Sequence, residues 1–439
     1  MCIRDRGRTS PHYTATAGRL TRKSGTDQTV TAWYCIPGAV TYAWLNGFKR
    51  ELTMGHAPED KTQSTSIDTA RRRLLGAAGG GALSAALPAS LGVALAGTSG
   101  QAWASAIKPL RWGVVGTGGI ANAMAPMIKM AANAELAAVS SRKMATAKEY
   151  ADRHGVPNTF DSWADMFAFD GVDAIYIATP TSVKEEIGIA AAKNGKHVLA
   201  DKPLANLASL QRITAACQQY GVGFMDGTHF PHSPRTAHIR AQMPEQVGWP
   251  WSVASAFQFG LSDPNNIRLD PTLEPYGAIG DAGWYNMRAA VEYLAADVEP
   301  VSVNAHLRRG GPHNAAVSGS GVIVFSDGST TTWNCGFESG AGIMDLRISG
   351  ANGVIKLDDF LRTRPGDRPA DYELRQGWGD SRFVEVPFDT PEAALMFEGF
   401  AAMVGDEDWK ARSIRASERT QRWLDAVWNS ALENEEARG

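Results

Sequence analysis

Cysteine is scarce in this chain: there are four in 439 residues, too few for the disulfide framework of a small secreted domain. No charge of one sign dominates, because 43 Lys and Arg stand against 46 Asp and Glu. Hydrophobic residues make up 44% and charged residues 20%, which excludes a largely disordered, collagen-like or coiled-coil chain. The length predicts two or three domains, and Cys217 and Cys335 are interpreted as buried thiols.

The charge is distributed unevenly along the chain. Residues 1–104 hold 12 Lys and Arg and 6 Asp and Glu, whereas residues 105–439 hold 31 and 40. The acidic second part argues against nucleic acid as a partner, because a polyanion is attracted to basic surfaces.

The front of the chain has the features of segments that are not part of the folded protein. Residues 1–53 have no sustained periodicity, and we expect a non-native or disordered extension there. In residues 54–104, Arg71–Leu75 precedes a Gly/Ala/Leu run and the small-residue cleavage site Ala102–Ala104. This segment resembles a twin-arginine export signal, which predicts a periplasmic protein, or a cytoplasmic one if the signal is not used. Pro88 and the many glycines disfavour the alternative, a membrane anchor that persists after cleavage.

A glycine-rich turn follows the first strand pattern, residues 110–116. It has the form G-x-G-x-x-A, in which the first glycine permits a tight bend and the second lets the backbone approach a pyrophosphate. An apolar helical run to about residue 132 follows, so the helix N-terminus faces the phosphate charge. The pattern predicts a dinucleotide site that is formed by Gly116, Thr117, Gly118, Gly119 and Ile120.

Strand-like and helical runs alternate beyond this turn. Strands are predicted at residues 135–141, 174–179, 197–201 and 222–226, and helices at 145–154, 183–193 and 207–220. Such alternation is typical of a parallel, doubly wound sheet, and we predict a Rossmann domain over residues 105–227.

The end of the second strand indicates which dinucleotide binds. An NAD site places Asp or Glu about 20 residues past the glycines, to hold the ribose 2'-hydroxyl. This chain has Ser141, Arg142 and Lys143 there, so no carboxylate repels a 2'-phosphate, and two cations and a hydroxyl can bind it. The pattern favours NADP over NAD.

Two further segments lie at the carboxyl edge of the predicted sheet, where ligands bind in this architecture. One ends in Thr179 and Pro180, and the other is the run Gly195–Leu204, G-K-H-V-L-A-D-K-P-L. The run resembles the G-K-H-V-x-x-E-K-P motif of the glucose–fructose oxidoreductase/inositol dehydrogenase/rhizopine catabolism (Gfo/Idh/MocA) family. Asp201 stands where the family usually has Glu. The resemblance covers about residues 110–431 and implies that Thr179, Pro180 and Lys202 contact the cofactor.

The segment after Thr179 and Pro180 departs from the family pattern. The family often has Asn-x-x-His here, whereas this chain has Thr181–Lys184, T-S-V-K, so that histidine is missing.

A second motif lies in the other half of the chain. Gly277–Tyr285 opens a helical run to about residue 294, and the spacing of four puts Asp281 and Tyr285 on one helix face. The segment resembles the D-x-G-x-H motif of the family in the version that carries Tyr. The resemblance implies that Tyr285 is the acid/base and that Asp281 orients Lys202 or a sugar hydroxyl. Lys202 would lower the pKa of Tyr285, which is near 10 in free tyrosine, hold the substrate hydroxyl and touch the nicotinamide ribose.

Histidines near residue 230 suggest a further contact. The segments 226–236 and 266–268 resemble a subgroup of plant and bacterial family members, which leaves the substrate open. We predict that His229 touches substrate or cofactor and that Arg268 touches substrate. His229, His232 and His238 do not fit one helix face cleanly, and no Cys or paired carboxylate joins them, so no metal is predicted.

Residues 228–439 predict an α+β substrate domain with one large, mostly antiparallel sheet. Asp327–Gly328 is a strong hairpin signal between two of its strands. In the family the open face of this sheet commonly forms a dimer interface, so the resemblance implies a homo-oligomer, a dimer or a tetramer. The predicted strands are residues 251–260, 301–307, 321–326, 329–337 and 344–349, followed by helices near 391–405 and 413–434.

These observations favour an NADP-dependent oxidoreductase that acts on a CH–OH or carbonyl group of a sugar or polyol, because such chemistry needs a base for the hydroxyl proton. Two alternatives stay open: an NAD-dependent glycosidase of the same fold, and a non-catalytic sugar or nucleotide sensor. The joint presence of Lys202, Asp281 and Tyr285 argues against the sensor. The predicted export adds the expectation that the cofactor is held tightly and recycled in place by a second substrate.

Overall fold

The computed structural model describes residues 109–362 and 370–438, together with two short strands nearer the N-terminus. These strands, β1 (Leu20–Lys23) and β2 (Thr29–Ala32), pair in antiparallel fashion and belong to a unit of their own, residues 1–91. The rest of the predicted extension and the whole predicted export signal, residues 54–104, lie outside the described residues.

Six parallel strands form the first sheet, in the order β5-β4-β3-β6-β7-β8. The strands are β3 (Leu110–Val115), β4 (Ala134–Ser140), β5 (Asn158–Phe160), β6 (Ala174–Ile177), β7 (His197–Ala200) and β8 (Phe224–Asp226). The helices between them are α1 (Gly119–Met130), α2 (Met144–His154), α3 (Trp163–Ala168), α4 (Lys184–Lys193) and α5 (Leu207–Gln219). The strand order reverses at β3, where a doubly wound sheet binds its ligand. The predicted Rossmann fold is confirmed, and β5 and α3 are additions that the sequence patterns did not predict.

The second sheet has nine strands in the order β10-β11-β12-β9-β14-β15-β16-β17, with β13 paired to β9. The strands are β9 (Pro250–Gly260), β10 (Pro300–Gly310), β11 (Ala315–Phe325), β12 (Thr330–Gly336), β13 (Glu338–Ile343), β14 (Leu346–Gly350), β15 (Val354–Leu357), β16 (Ala370–Arg375) and β17 (Arg382–Val386). The pair β9 and β12 is parallel, and the other pairs are antiparallel. The predicted mostly antiparallel sheet is therefore confirmed.

Helices cover one face of this second sheet: α6 (Pro234–Gln246), α7 (Gly277–Asp281), α8 (Gly283–Tyr293) and α10 (Glu407–Glu436). A fifth helix is α9 (Glu392–Val404). On the other face the side chains of Ser320, Thr332 and Arg347 are exposed. This difference between the faces follows from the strand period of two, which sends alternate side chains to opposite sides.

Helix α9 follows the second sheet in the chain but packs against the first domain. Its Phe397 meets the buried Trp112 of β3 edge-on at 5.0 Å between ring centroids, and Phe400 lies at 5.1 Å from the same ring. This packing brings Glu392, the first residue of α9, into the protein interior. The domain boundary between residues 227 and 228 stays a prediction. Helix α9 lies in the second domain by sequence but adds to the hydrophobic core of the first.

Both cysteines of this unit are buried and free, as predicted. Burial raises the pKa of each thiol to about 12, so neither is a reactive thiolate at neutral pH. Across the described residues, no helix combines the length and the apolar character needed to cross a bilayer.

Candidate active site

The glycine-rich turn connects β3 to α1 at the strand-order reversal. Gly116 has φ +102°, and a Cβ there would lie 2.9 Å from the carbonyl oxygen of Ala178, so only glycine fits. Gly118 caps the N-terminus of α1, and a Cβ on it would meet nothing within 4 Å. The side chain of Asn122 donates hydrogen bonds to the carbonyl oxygens of Thr117 and Gly118, at 3.0 and 2.9 Å. Asn122 therefore stabilises the turn, and the space beside Gly118 is open.

The end of β4 holds the residues predicted to bind the 2'-phosphate. The Ser141 hydroxyl lies 2.6 Å from that of Thr146 and 3.4 Å from that of Thr117, which joins this segment to the glycine-rich turn. Arg142 and Lys143 are exposed beside it. Two cations and three hydroxyl groups thus lie at one edge of the sheet.

The residues present fit a dinucleotide. The turn gives open space over Gly118 and Gly119, where a side chain would otherwise stand, and Ile120, the second residue of α1, is half-buried. Thr179, which lies with Pro180 just past β6, has a buried hydroxyl without a hydrogen-bond partner among the described residues. A bound ligand would give that hydroxyl its partner, since buried polar groups are normally hydrogen-bonded.

Lys202 and Asp281 form a buried ion pair between the two halves of the site. The Nζ atom of Lys202 donates to Oδ1 of Asp281 at 2.6 Å, and these residues are only 7% and 8% exposed. Arg268 donates from Nε to the other oxygen, Oδ2, at 2.8 Å. Burial raises the pKa of Asp281, but the Lys202 and Arg268 cations outweigh it and hold the pKa well below its usual range. Of the two predicted roles for Asp281, the geometry matches the orientation of Lys202.

The helical run that carries Asp281 and Tyr285 is interrupted between them. Helix α7 ends at Asp281 and α8 begins at Gly283, so the single predicted helix is wrong in this detail. Both side chains still face Lys202, whose Nζ lies 4.8 Å from the centroid of the Tyr285 ring.

The pKa of Tyr285 is raised in this structure, although Lys202 acts to lower it as expected. Burial raises the pKa well above its usual value, and the lowering by Lys202 does not compensate because Asp201 and Asp281 raise it further. Lys202 thus acts in the expected direction, but its charge is shared with Asp281 in a site from which water is largely excluded.

His229 also lies against Tyr285. Its Nε2 atom is 3.2 Å from the Tyr285 hydroxyl, and its Nδ1 atom is 3.6 Å from Oε1 of Glu392. Phe257 of β9 packs edge-on against the same tyrosine, with 5.4 Å between ring centroids. Neither Glu392 nor Phe257 was predicted, because both reach the site through tertiary packing and no local motif marks them.

The Lys184 side chain braces the Lys202 segment from inside the protein. It is buried, and its Nζ atom donates to the carbonyl oxygens of Lys202 and Pro203 at 3.2 and 2.9 Å. Lys184 is the last residue of the segment T-S-V-K, which stands where the family often has Asn-x-x-His. This departure from the family pattern was the signal in the sequence that pointed to Lys184. Glu274 accepts two hydrogen bonds from Thr181, at 3.0 Å from the amide and 2.6 Å from the hydroxyl, and so joins the segment to the second domain.

The three histidines that suggested a metal occupy separate surroundings. His232 packs against Gly399, and the His238 ring lies tilted against Tyr372, with 6.0 Å between ring centroids. Within residues 109–362 and 370–438, no three His, Cys, Asp or Glu side chains converge to hold a metal ion. The absence of a metal stays a prediction.

The chain is similar to known oxidoreductases in both sequence and fold. A family model described as "Oxidoreductase family, NAD-binding Rossmann fold" matches residues 110–228. The dTDP-3,4-didehydro-2,6-dideoxy-alpha-D-glucose 3-reductase of Actinomadura kijaniata is 30% identical, over 70% of this chain and 92% of that protein. D-xylose 1-dehydrogenase (NADP(+)) 2 of Haloferax volcanii is 28% identical, over 73% of this chain and 97% of that protein.

A solved structure shows the same architecture. The crystal structure of a 3-ketoreductase from Actinomadura kijaniata in complex with NADP and TDP-benzene superimposes with a TM-score of 0.67 and 26% identity. The match covers 74% of this chain and 98% of that one. Because a 30% identical relative is matched over nearly its whole length and the fold is shared, this chain belongs to the Gfo/Idh/MocA family of oxidoreductases.

Proposed function

We propose that the protein is an NADP-dependent oxidoreductase that interconverts a CH–OH group and a carbonyl group on a sugar or polyol. The observation that carries the proposal is the buried cluster in which Lys202 is held by Asp281 and faces Tyr285, at the carboxyl edge of the cofactor-type sheet. A non-catalytic sensor would have no need of an acid/base tyrosine beside a buried lysine.

NADP is the better cofactor for the edge of the sheet beyond β4. Arg142 and Lys143 offer charge-assisted hydrogen bonds to a 2'-phosphate, and the hydroxyls of Ser141 and Thr146 lie beside them. Two relatives support this choice: the xylose dehydrogenase and the 3-ketoreductase complex are both named with NADP.

When bound, NADP supplies the acceptor or donor of the hydride, and this chain's own residues hold the substrate and move the proton. Lys202, fixed by Asp281 and by the Lys184 brace on its backbone, would donate a hydrogen bond to the substrate oxygen. Tyr285 would exchange the hydroxyl proton, and Arg268, a third exposed, would bind another substrate oxygen. The aromatic ring of Phe257 excludes water from one side of Tyr285.

The test is NADPH formation by the purified protein. NADP⁺ is mixed with D-xylose, D-glucose, myo-inositol or scyllo-inositol, and NADPH is followed by its absorbance; the reverse reaction is followed with the lactones of the two sugars and the inososes of the two inositols. We expect at least one equivalent of NADPH per chain with at least one of the four compounds. Hydrolysis of a glycoside with no net NADPH would instead favour the NAD-dependent glycosidase.

Three further properties belong to the proposal. The twin-arginine-like segment would direct the folded protein to the periplasm. Because the periplasm has no pool of NADP with which bound cofactor could exchange, the cofactor would be bound tightly and recycled by a second substrate.

The exposed face of the second sheet would bind a second copy of the chain. Light scattering on the purified protein would give the number of copies.

A further inference from the structure

Three ionisable side chains contact one another in a row that begins at Tyr285. The Tyr285 hydroxyl lies 3.2 Å from Nε2 of His229, and Nδ1 of His229 lies 3.6 Å from Oε1 of Glu392. The three come from different parts of the chain: Tyr285 from α8, His229 from the loop after β8, and Glu392 from the start of α9. The fold therefore brings them together although no local motif does.

The row is buried for most of its length. Tyr285 and Glu392 are each 6% exposed as residues, and the His229 side chain is 18% exposed. A carboxylate and an imidazole in contact inside a protein are costly unless they pair or carry out a function. Oε1 of Glu392 lies 3.6 Å from Nδ1 of His229, which is beyond hydrogen-bonding distance, so the carboxylate acts on the imidazole through its charge.

Tyr285 needs such a neighbour to work as an acid/base. Its phenolate is disfavoured, since burial raises its pKa and the Lys202 charge is largely taken up by Asp281 at 2.6 Å. Tyr285 must therefore lose its own proton at the same time as it receives one from the substrate. Nε2 of His229 lies within hydrogen-bonding distance and can accept that proton.

We propose that His229 is the base behind Tyr285, and that Glu392 stabilises the imidazolium that forms. This proposal rests on the proposed oxidoreductase function and extends it. In the oxidation, the substrate hydroxyl proton moves to the Tyr285 oxygen as the Tyr285 proton moves to Nε2 of His229. The C–H electron pair leaves as hydride to NADP⁺, so the substrate becomes a carbonyl compound and His229 holds the released proton. In the reduction, the same proton returns along the row.

The charges around His229 set the pH range in which it can act. Burial lowers the pKa of His229, and the Lys202 cation lowers it further, whereas Glu392, Asp359 and the Leu361 backbone raise it. His229 is therefore neutral at pH 7 and can accept a proton there. The buried Arg235 is a further cation near these groups. Burial lowers its pKa, and the charges of Asp359 and Glu392 raise it.

The first experiment needs no substrate. The full-length protein is labelled with ¹⁵N-histidine, and the pKa of His229 is measured by NMR titration, with His229→Gln used to assign its signal. Glu392→Gln should lower that pKa further, because a neighbouring anion is lost. The matched control is Glu398→Gln on the same helix, whose carboxylate accepts from the Ala132 amide instead, and it should change nothing. An unchanged His229 pKa in Glu392→Gln would overturn the role of Glu392.

The second experiment tests the proton transfer by chemical rescue. With the fastest of the four compounds, His229→Ala should lower kcat by about 10²- to 10⁴-fold, and NADP should bind within about twofold of its original Kd. Added imidazole should restore much of the rate. It should not rescue Tyr285→Phe, which lacks the oxygen that passes the proton on. His238→Ala, which changes a histidine that lies against Tyr372 instead of Tyr285, is the control and should keep its rate.

A purely structural role for His229 gives a different pattern. The loss in His229→Ala would then persist in imidazole, and the pH profile of Glu392→Gln would match the original. The proposal instead expects the acid limb of kcat/KM in Glu392→Gln to move to lower pH while its plateau falls, because the imidazole becomes a weaker base. If none of the four compounds forms NADPH with the unmodified protein, the proposed function fails, and the NMR titration still decides whether Glu392 and His229 are coupled.

Discussion

Lys202 Nζ lies 2.6 Å from Oδ1 of Asp281, and this ion pair connects the carboxyl edge of the first sheet to the break between α7 and α8. The pair holds the lysine between the turn that would bind the cofactor and the tyrosine that would move the proton. Since both residues are buried, the pair affects both stability and catalysis.

The variant Asp281→Asn should destabilise the protein. It leaves the Lys202 cation buried with no carboxylate partner at Oδ1, and breaking a buried pair in this way costs about 3–5 kcal/mol of the free energy of unfolding. Denaturant unfolding at pH 7 measures the change. Glu149→Gln is the control, because its partner Arg153 is more than half exposed, and such surface pairs contribute about 0.2–1 kcal/mol.

The same pair predicts how stability depends on pH. Lys202 and Arg268 hold the pKa of Asp281 below the value of about 3.9 in the unfolded chain. Its contribution is therefore fully present above about pH 4 and is lost as the pH falls through the folded-state pKa. The melting temperatures of the original protein and Asp281→Asn should converge as the pH is lowered from 5 towards 2. A gap that stays constant over this range would contradict the pairing.

The variant Tyr285→Phe removes one oxygen and leaves the ring in its packing against Phe257. Turnover should fall by about 10²- to 10⁴-fold, the usual contribution of a positioned acid/base, while the Kd for NADP stays nearly the same. Lys202→Met should lower turnover as well and should also weaken cofactor binding. Full activity in Tyr285→Phe would show that another group takes the proton directly from the substrate.

Cofactor choice should depend on the exposed cation Arg142. Arg142→Ala removes a charge-assisted contact of about 1.5–3 kcal/mol, which is roughly a 10- to 150-fold rise in the Kd for NADP. The Kd for NAD should hardly change, and Lys193→Ala, an exposed lysine on α4, should affect neither. Binding is measured by fluorescence titration. Equal affinity of the unmodified protein for the two cofactors would contradict the role of Ser141, Arg142 and Lys143.

Export and cofactor retention can be tested together in a bacterial host. The protein should be found in the periplasm, and replacing Arg71 and Arg72 by lysine should keep it in the cytoplasm. Denaturing the periplasmic protein should release about one nicotinamide cofactor per chain. A periplasmic protein without cofactor would contradict the retention model and leave the oxidoreductase proposal unaffected.

Apart from β5, the strands of the first sheet were predictable from sequence because they have similar environments. A strand that is covered on both faces is a continuous apolar run, as in Ala174–Ile177, where all four residues are buried. The residues of the two motifs were also predictable as a set, since Lys202, Asp281 and Tyr285 each lie in a distinctive local pattern. The structure brings these three side chains together.

Other elements gave no local signal. The strand Glu338–Ile343 has the sequence E-S-G-A-G-I, which holds a single β-branched residue, and Ala370–Arg375 carries charges at three of its six positions. Helix α6 contains Pro244, a residue that disfavours a helix interior. In each case tertiary contacts override weak intrinsic preference.

The sign of the Tyr285 pKa shift was not predictable for a related reason. The sequence indicates that Lys202 is near, but the outcome depends on how deeply Tyr285 is buried and on the two carboxylates that share the Lys202 charge. Glu392 was missed because the chain returns to the site through α9 long after the second sheet has formed.

The most direct test of the central claim follows the hydride itself. The purified protein is incubated with NADP⁺ and D-glucose or D-xylose that carries deuterium at every carbon, and the NADPH formed is analysed by mass spectrometry. The account predicts NADPH that carries one deuterium from the sugar, at a rate that falls by about 10²-fold or more in Tyr285→Phe. NADPH without deuterium, or equal transfer by Tyr285→Phe, would contradict it.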